Sequence, residues 1–304
     1  MLLARPLRGI VTPLITPLAT PERLDPASLQ KLLNHVIGGG VSAVFILGTT
    51  GEGPALPVSV RRETIEATCH FVAGRVPVLV GVTDSSLLDL MELAEFSARS
   101  GAAAVVTAGP TYFPVAPPEL RHYVAQVAER SPLPVFLYNM PSHTHVEFSV
   151  ETVAEAAALP NIAGLKDSSG DLGYLHAVRH ALGARPDFTL LVGPEEIMGE
   201  AVLLSASGGV NGGSNLFPGL YVEMYQAAVA GDAPRMRQAH RRIIGISQRL
   251  YRTGTYGSSY LRGLKCAAAH LGLCRNVVAS PYQAFSGGET ETIRRHLVEL
   301  GALA

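Results

Sequence analysis

The chain has 304 residues, of which 47% are hydrophobic and 16% are charged. Its 24 basic residues nearly balance its 25 acidic residues, for a formal net charge of −1, which argues against a disordered segment or a polybasic nucleic-acid-binding protein. The basic residues are 21 arginines and only three lysines, Lys31, Lys166 and Lys265, so lysine chemistry has few candidates.

Short runs rich in β-branched residues recur along the chain, and each precedes a stretch with helical periodicity. Several runs, such as VPVLVGV and LPVFLYN, are continuously apolar, which is typical of parallel strands covered by helices on both faces. The predicted strands cover residues 9–15, 43–47, 78–82, 104–108, 135–139, 163–166, 189–193 and 209–211.

Helix-start signals follow most of these strands. Asp25 and Pro26 are predicted to open the first helix as its N-cap and first helical residue, and later helices are predicted to begin after Pro57, Ser85 and Pro117. Eight strand–helix units fit within residues 1–232, which predicts a single (β/α)8 TIM barrel. An open, doubly wound sheet is the alternative, but the first strand–helix turn lacks a GxGxxG fingerprint.

Residues 233–304 again show helical periodicity, although a barrel does not need them for closure. We expect a C-terminal helical extension that packs on the barrel or builds a subunit interface. This segment carries a run of arginines, which we interpret as a solvated or intersubunit helix face because no aromatic residue interleaves them. The run comprises Arg235, Arg237, Arg241, Arg242 and Arg249.

The three cysteines, Cys69, Cys266 and Cys274, are too few and too irregularly spaced for a disulfide framework or a zinc ribbon. No apolar run approaches the roughly 20 residues that cross a bilayer, and arginines and prolines interrupt the N-terminal stretch, which argues against a signal peptide. We therefore expect a cytoplasmic protein with a small-molecule substrate and with neither a nucleic-acid nor a membrane partner.

In a barrel of this kind, reactive groups lie at the carboxyl ends of the strands. Lys166 ends the predicted sixth strand, within GLKDSSGD, and would point toward the barrel mouth. A lysine amine there can attack a carbonyl to form an imine, which an arginine cannot do under ordinary conditions. The alternative is a lysine that is paired with Asp167 or Asp171 or whose amine extends to solvent. Lys31 and Lys265 fall within predicted helices, and we interpret both as structural.

The second strand leads into the motif GTTGEG at residues 48–53. Gly48 and Gly51 allow the backbone to approach a ligand closely, and Thr49 and Thr50 add hydroxyl groups. Exposed backbone N–H groups in such a loop bind anions, and a carboxylate is favoured because the GK[ST] ending of a phosphate loop is missing.

The fifth strand ends in YNMPSHTH. Tyr138 would lie one step inside the mouth, where a phenol can relay protons or hydrogen-bond an intermediate, although a buried core tyrosine is an equally good interpretation. His143 and His145 follow, but no acidic residue lies nearby at ligand spacing, so no metal site is predicted.

Three further strand ends carry candidate residues. Tyr112 lies in a proline-rich loop after the fourth strand, and Gly193 ends the seventh. The eighth strand runs into GGVNGGSN, a loop that could cradle a phosphate or leave room for a polar substrate tail. In the second case Asn211, Ser214 and Asn215 would donate hydrogen bonds.

Together, GTTGEG at 48–53, YNMP at 138–141 and GLKDSSGD at 164–171 resemble the dihydrodipicolinate synthase/N-acetylneuraminate lyase family of class I aldolases. The resemblance covers roughly residues 7–300. It implies a (β/α)8 barrel that forms a homo-oligomer, a dimer or tetramer, and a lysine that forms a Schiff base with pyruvate or another 2-oxo acid. It also implies that the reaction needs no metal or organic cofactor.

The resemblance assigns roles to individual residues. Lys166 resembles the imine-forming lysine of the family, and Tyr138 resembles its proton-transferring tyrosine. Thr49 and Thr50 match its GTTGE loop, in which the second threonine helps to hold the substrate carboxylate. Tyr112 resembles the tyrosine that a neighbouring subunit contributes to a Thr–Tyr–Tyr proton relay. Gly48, Gly51, Gly193, Asn211 and His143 are the remaining candidates for substrate binding.

Two features depart from the synthase pattern. The sequence NGGSN after the eighth strand looks roomier and better suited to hydroxyl groups than the corresponding loop of the synthases. Where dihydrodipicolinate synthases typically carry an arginine that binds the carboxylate of the aldehyde, this sequence has His143, a poorer carboxylate ligand. We therefore predict a pyruvate-dependent lyase that performs aldol cleavage, condensation or dehydration of a 2-oxo acid such as a 2-keto-3-deoxy sugar acid. The alternatives are a synthase that condenses pyruvate with aspartate semialdehyde, a non-catalytic barrel that binds 2-oxo acids, and a phosphate-binding barrel enzyme.

Overall fold

The computed structural model describes residues 3–183 and 185–303. Eight parallel strands close into a barrel, because the last strand pairs with the first. In chain order the barrel strands are β1 (Gly9–Pro13), β2 (Ala43–Ile46), β3 (Val78–Gly81), β4 (Ala104–Ala108), β5 (Val135–Asn139), β6 (Ile162–Asp167), β7 (Thr189–Val192) and β8 (Gly208–Gly209). The predicted TIM barrel is confirmed, and the open doubly wound sheet is not formed.

Each barrel strand lies within two residues of its predicted ends. The first strand stops at Pro13 rather than at residue 15, because the backbone N–H of Ile15 donates to Asn215 Oδ1 instead of to a neighbouring strand. A short antiparallel hairpin, Leu18–Thr20 with Arg23–Leu24, was not predicted from the sequence.

Helices surround the barrel and begin with side-chain caps at several of the predicted positions. Asp25 accepts a hydrogen bond from the Ser28 N–H, as the sequence predicts for the first helix, whereas Ser86 rather than Ser85 caps the third. The helices up to residue 229 are α1 (Pro26–Gly38), α2 (Val58–Val72), α3 (Leu87–Ser100), α4 (Pro117–Arg130), α5 (Pro141–Thr144), α6 (Val150–Ala157), α7 (Leu172–Ala181), α8 (Met198–Leu203) and α9 (Pro218–Val229).

Three more helices follow the barrel: α10 (Ala233–Leu250), α11 (Ser259–His270) and α12 (Gly287–Glu299). Helix α10 packs against α9, and α11 and α12 pack against α10 and each other. The C-terminal helical extension is therefore present. The division into units at residues 232 and 233 stays a prediction, and the outer limits at residues 1 and 304 lie outside the described residues.

The arginine run on α10 has acidic partners at the surface. Arg235 and Arg242 both approach Glu223, at 3.5 Å and 4.0 Å, and Arg249 pairs with Glu299 at 3.1 Å. Such exposed pairs are typical of a solvated helix face. Within residues 3–183 and 185–303, no helix is both long enough and apolar enough to span a membrane.

A cluster of buried side chains fills the barrel interior below the carboxyl ends of the strands. Phe45, Leu79, Phe136 and Leu191 are among these buried side chains, and Tyr138 belongs to the same cluster. Gly164 makes room for this packing, because a Cβ at that position would lie 2.3 Å from the Thr189 carbonyl oxygen and 2.9 Å from the Phe136 ring. Residues at the strand ends are thereby held above a packed core.

Candidate active site

Lys166 and Tyr138 lie side by side at the carboxyl ends of β6 and β5. The two residues are partners in the parallel register, and each is only 6% exposed. The Lys166 Nζ atom lies 3.8 Å from the centre of the Tyr138 ring and 5.1 Å from the centre of the Phe45 ring. The lysine amine is therefore enclosed by two aromatic faces at the mouth of the barrel.

Lys166 is free of the carboxylates that follow it in the sequence. No ion pair within residues 3–183 and 185–303 includes Lys166. Asp167 instead accepts hydrogen bonds from Asn139 Nδ2 at 2.8 Å and from Ser169, and Asp171 caps α7. The interpretation of Lys166 as one half of a salt bridge is thus not supported.

Tyr138 is positioned by its hydroxyl and by its ring. Its hydroxyl lies 3.2 Å from Thr49 Oγ1, and its ring meets Phe45 edge to face, with ring centres 6.4 Å apart. Burial by itself raises the pKa of the Tyr138 phenol, but the charge of Lys166 and hydrogen bonds from side chains including Thr49 oppose it, and the pKa falls below its ordinary value. A phenol with a lowered pKa is a better proton carrier near neutral pH.

The loop between β2 and α2 carries both candidate threonines in a tightly held backbone. Thr49 contacts Tyr138, as above, and Thr50 Oγ1 lies 3.0 Å from the hydroxyl of Tyr260. The carbonyl of Gly51 accepts a hydrogen bond from Thr16, and a Cβ at Gly51 would lie within 3 Å of the backbone of Leu14 and Leu47. The predicted close approach at Gly51 is therefore to the protein's own backbone.

A cavity of about 430 Å³ opens beside these groups at the carboxyl ends of β2 to β5. Lys166 is not among the residues that line this cavity, but its amine lies near the rings of Phe45 and Tyr138, which do line it. The start of α11 forms part of the opposite wall. The residues that line the cavity include Phe45, Gly48, Thr49, Thr83, Val106, Ala108, Thr111, Tyr138, Met140, His143, Ser258, Tyr260, Leu261 and Tyr282.

His143 lies at the rim of this cavity, on the one-turn helix α5, with its Nδ1 3.0 Å from Ser142 Oγ. Partial burial lowers the pKa of its imidazole, and the positive charge of Lys166 and the neighbouring His145 lower it further. The lowered pKa favours the neutral ring, which can donate and accept hydrogen bonds.

The polar side chains of the loop after β8 form hydrogen bonds within the protein. Asn215 binds the backbone of Pro13, Ile15 and Gly212. Ser214 Oγ donates to the Asn211 carbonyl and lies 3.0 Å from Thr12 Oγ1. These two side chains thus anchor the loop to β1 and are not free to donate to a substrate tail.

Asn211 and Gly193 lie next to each other. Asn211 is fully buried and its Nδ2 donates to the Gly193 carbonyl at 2.9 Å. Further along the loop, the Gly213 N–H donates to Glu195 Oε2 at 3.1 Å, so this N–H is not available to a phosphate. Substrate binding by Asn211 and Gly193 stays a prediction.

Tyr112 is the one catalytic candidate whose side chain lies away from the other three within this chain. It is 80% exposed, and the adjacent Phe113 is 73% exposed and meets it edge to face with ring centres 5.0 Å apart. The preceding residue, Thr111, does line the cavity. The loop therefore passes the site while presenting two aromatic rings to the outside.

Four residues with buried contacts in or next to the site, Tyr260, Glu52, Lys265 and Glu195, were not identified as site residues from the sequence. Tyr260, on α11, contacts Thr50. Glu52, in the GTTGEG loop, pairs with Lys265 at 2.5 Å, and the side chains of both are fully buried. Glu195 accepts hydrogen bonds from Tyr221 and Tyr251. All of these contacts join segments far apart in the chain, so no local pattern could have indicated them.

Comparison with known proteins assigns residues 6–300 to one family. The model of the Dihydrodipicolinate synthetase family matches residues 6–300. The structure of a dihydrodipicolinate synthase from Bacteroides thetaiotaomicron superimposes with a TM-score of 0.95 at 46% identity, covering 98% of this chain and all of the other.

Two other relatives are more distant in sequence. YagE, a prophage protein of the same family from E. coli K12 solved in complex with pyruvate, has a TM-score of 0.92 at 27% identity, covering 98% of this chain and 99% of YagE. An uncharacterized DapA-like lyase from Halobacterium salinarum is 32% identical over 297 residues, which are 98% of this chain and 95% of the relative.

Proposed function

Since the chain belongs to the dihydrodipicolinate synthetase family of lyases, we propose that it forms a Schiff base between Lys166 and a 2-oxo acid, and that it cleaves or forms the bond between C3 and C4 of that acid. One observation carries this proposal. The amine of Lys166 lies against the ring of Tyr138, whose hydroxyl contacts Thr49. The Lys166 amine, the Tyr138 phenol and the Thr49 hydroxyl thus form a continuous chain of contacts at the barrel mouth.

The chemistry follows from this arrangement. The Lys166 amine attacks the ketone carbon, and loss of water gives a protonated imine. Tyr138 then accepts the proton of the C4 hydroxyl as the C3–C4 bond breaks. The electron pair of that bond flows into the imine and forms an enamine, while C4 leaves as an aldehyde. Protonation of the enamine at C3 and hydrolysis of the imine release pyruvate and restore the amine.

The loop 48–53 supplies the anchor for the carboxylate that every 2-oxo acid shares. We assign the carboxylate to Thr50 and to the backbone N–H groups of this loop, with Thr49 linking the loop to Tyr138. Held at one end by this anchor and at the other by the imine, the substrate is oriented before the bond breaks.

For the aldehyde portion we propose an uncharged, hydroxylated group, as in a 2-keto-3-deoxy sugar acid. No arginine or lysine is among the described residues that line the cavity. Its rim offers the neutral ring of His143 and the hydroxyls of Thr83, Thr111 and Ser258. These groups suit hydroxyls better than a second carboxylate.

The synthase reaction is the second candidate, and the 46% identity to the Bacteroides thetaiotaomicron protein favours it. It would condense pyruvate with aspartate semialdehyde, whose carboxylate would then lie near His143. Efficient turnover of aspartate semialdehyde, followed by a coupled reductase assay, would replace the sugar-acid proposal by this one.

Borohydride trapping tests the shared first step. Protein incubated with pyruvate and sodium borohydride should gain the mass of one reduced adduct per chain, and peptide mapping should place it on Lys166. Lys166→Arg, which keeps the positive charge, should gain none. A folded wild-type protein that forms no adduct would contradict the proposal. A panel of 2-oxo acids assayed for pyruvate release would then identify the substrate.

A further inference from the structure

The GTTGEG loop is held in a backbone conformation that it would not adopt alone. Leu47 and Glu52, on either side of the threonines, both have φ of 58°, in the left-handed region that residues other than glycine rarely occupy. Such conformations persist only where surrounding contacts enforce them. Besides the contacts with Thr16 and Tyr138, two contacts on this loop come from the C-terminal helical extension.

The first contact is made by Tyr260 near the start of α11. Its hydroxyl lies 3.0 Å from Thr50 Oγ1. The Tyr260 ring is fixed in turn by Tyr251, with ring centres 4.7 Å apart at 73°, and the Tyr251 hydroxyl lies 3.1 Å from both oxygens of Glu195. Thr50 is therefore connected to the buried Glu195 side chain through two tyrosines in edge-to-face contact.

The second contact is made by Lys265 on the same helix. Its Nζ lies 2.5 Å from Glu52 Oε1 and donates to the Val277 carbonyl at 2.6 Å. The other oxygen of Glu52 accepts the Ala279 N–H at 2.7 Å. Loss of either partner of a buried ion pair leaves an uncompensated buried charge, which is strongly destabilising. Glu52 is therefore held in place by α11 and by the segment that follows it.

We propose that Tyr260 and Lys265 are positioning residues for the reaction, and that α11 is the element that aligns the carboxylate-binding loop. Tyr260 orients Thr50, and Lys265 holds Glu52 two residues further on, so that Thr49 remains within reach of Tyr138. This inference rests on the proposed function, because it assigns the substrate carboxylate to that loop.

Pyruvate titration of adduct formation tests the role of Tyr260. The quantity measured is the pyruvate concentration that gives half-maximal borohydride-trapped adduct. Tyr260→Phe removes only the hydroxyl, and loss of one hydrogen bond should raise this concentration roughly 2- to 10-fold. Tyr256→Phe is the matched control, since Tyr256 is an exposed tyrosine just before the same helix, and it should titrate like the wild type.

Amide hydrogen exchange without pyruvate separates positioning from direct contact with the substrate. We expect faster exchange at residues 48–53 in Tyr260→Phe than in the wild type or in Tyr256→Phe. A Tyr260→Phe protein that exchanges and titrates like the wild type overturns the inference alone. A wild type that forms no adduct overturns the proposed function, and the inference with it.

The double variant Glu52→Gln with Lys265→Met tests the second contact without leaving a buried charge unpaired. It should fold, show faster exchange across residues 48–53 and need more pyruvate for half-maximal adduct. If it folds and matches the wild type in both measurements, Lys265 has no positioning role.

Discussion

The hydroxyl of Tyr138 lies 3.2 Å from Thr49 Oγ1, while its ring lies 3.8 Å from the Lys166 amine. One side chain therefore connects the imine-forming candidate on β6 with the GTTGEG loop after β2. The pKa of Tyr138 is lowered although burial alone would raise it, because Lys166 and the hydrogen bonds favour the phenolate. The geometry and the shifted pKa both favour a role in proton transfer.

Tyr138→Phe should separate imine formation from the later proton transfers. We expect kcat for cleavage to fall roughly 100-fold or more, because a positioned acid–base group contributes about that much. Pyruvate should still be trapped on Lys166 by borohydride, since the amine is intact. Steady-state kinetics and intact-mass measurement on the same sample check both expectations, and a variant with unchanged kcat would exclude Tyr138 from proton transfer.

His143→Arg should shift the preference of the site toward aldehydes that carry a carboxylate. An arginine can bind a carboxylate through two charge-assisted hydrogen bonds, so kcat/KM with aspartate semialdehyde should rise roughly 10-fold or more. His143→Gln, which stays neutral, is the matched control and should give no gain. Equal responses of the two variants would show that charge at this position does not decide the choice of aldehyde.

Mixed oligomers of two low-activity variants test whether a neighbouring subunit contributes Tyr112 to the site. If it does, Lys166→Arg and Tyr112→Phe proteins, each with low activity, should regain activity when unfolded together and refolded as mixed oligomers. In a mixed oligomer an intact Lys166 can then meet an intact Tyr112 from the other chain. A mixture no more active than its components, with mixed oligomers demonstrated by native mass spectrometry, would refute the shared site.

The sequence was sufficient to predict the barrel and the position of its central lysine. The strands are parallel and closed, so their carboxyl ends meet at one mouth, and residues such as Lys166 and Tyr138 are brought together by topology alone. The ends of the strands were also predictable, because continuous apolar runs are interrupted by prolines, glycines and polar residues where burial ends.

The supporting contacts could not be predicted in the same way. Tyr260 and Thr50 are 210 positions apart, and neither α11 nor its facing loop carries a local pattern that pairs them. Likewise, Asn215 resembles a substrate-binding residue in the sequence, yet its amide is occupied by the backbone of β1 and its own loop. Side-chain partners of this kind depend on tertiary packing, which hydrophobic periodicity does not specify.

Glu195 should make the stability of the protein depend on pH near neutrality. Burial raises the pKa of its carboxyl from about 4.5 to about 7, against the opposing effect of hydrogen bonds from Tyr221 and the Gly213 backbone. The folded state therefore holds this proton more tightly than the unfolded state. The associated stabilisation is fully present below about pH 4.5 and is lost as the pH rises through about 7.

Glu195→Gln removes this titration while keeping the shape of the side chain. The free energy of unfolding of the wild type, relative to that of the variant, should therefore be about 2 to 3 kcal/mol larger at pH 5 than at pH 8. Urea denaturation of both proteins at a fixed concentration measures the difference. Glu200→Gln, on the exposed surface of α8, is the control. A wild-type advantage that does not change with pH would show that Glu195 does not titrate in this range.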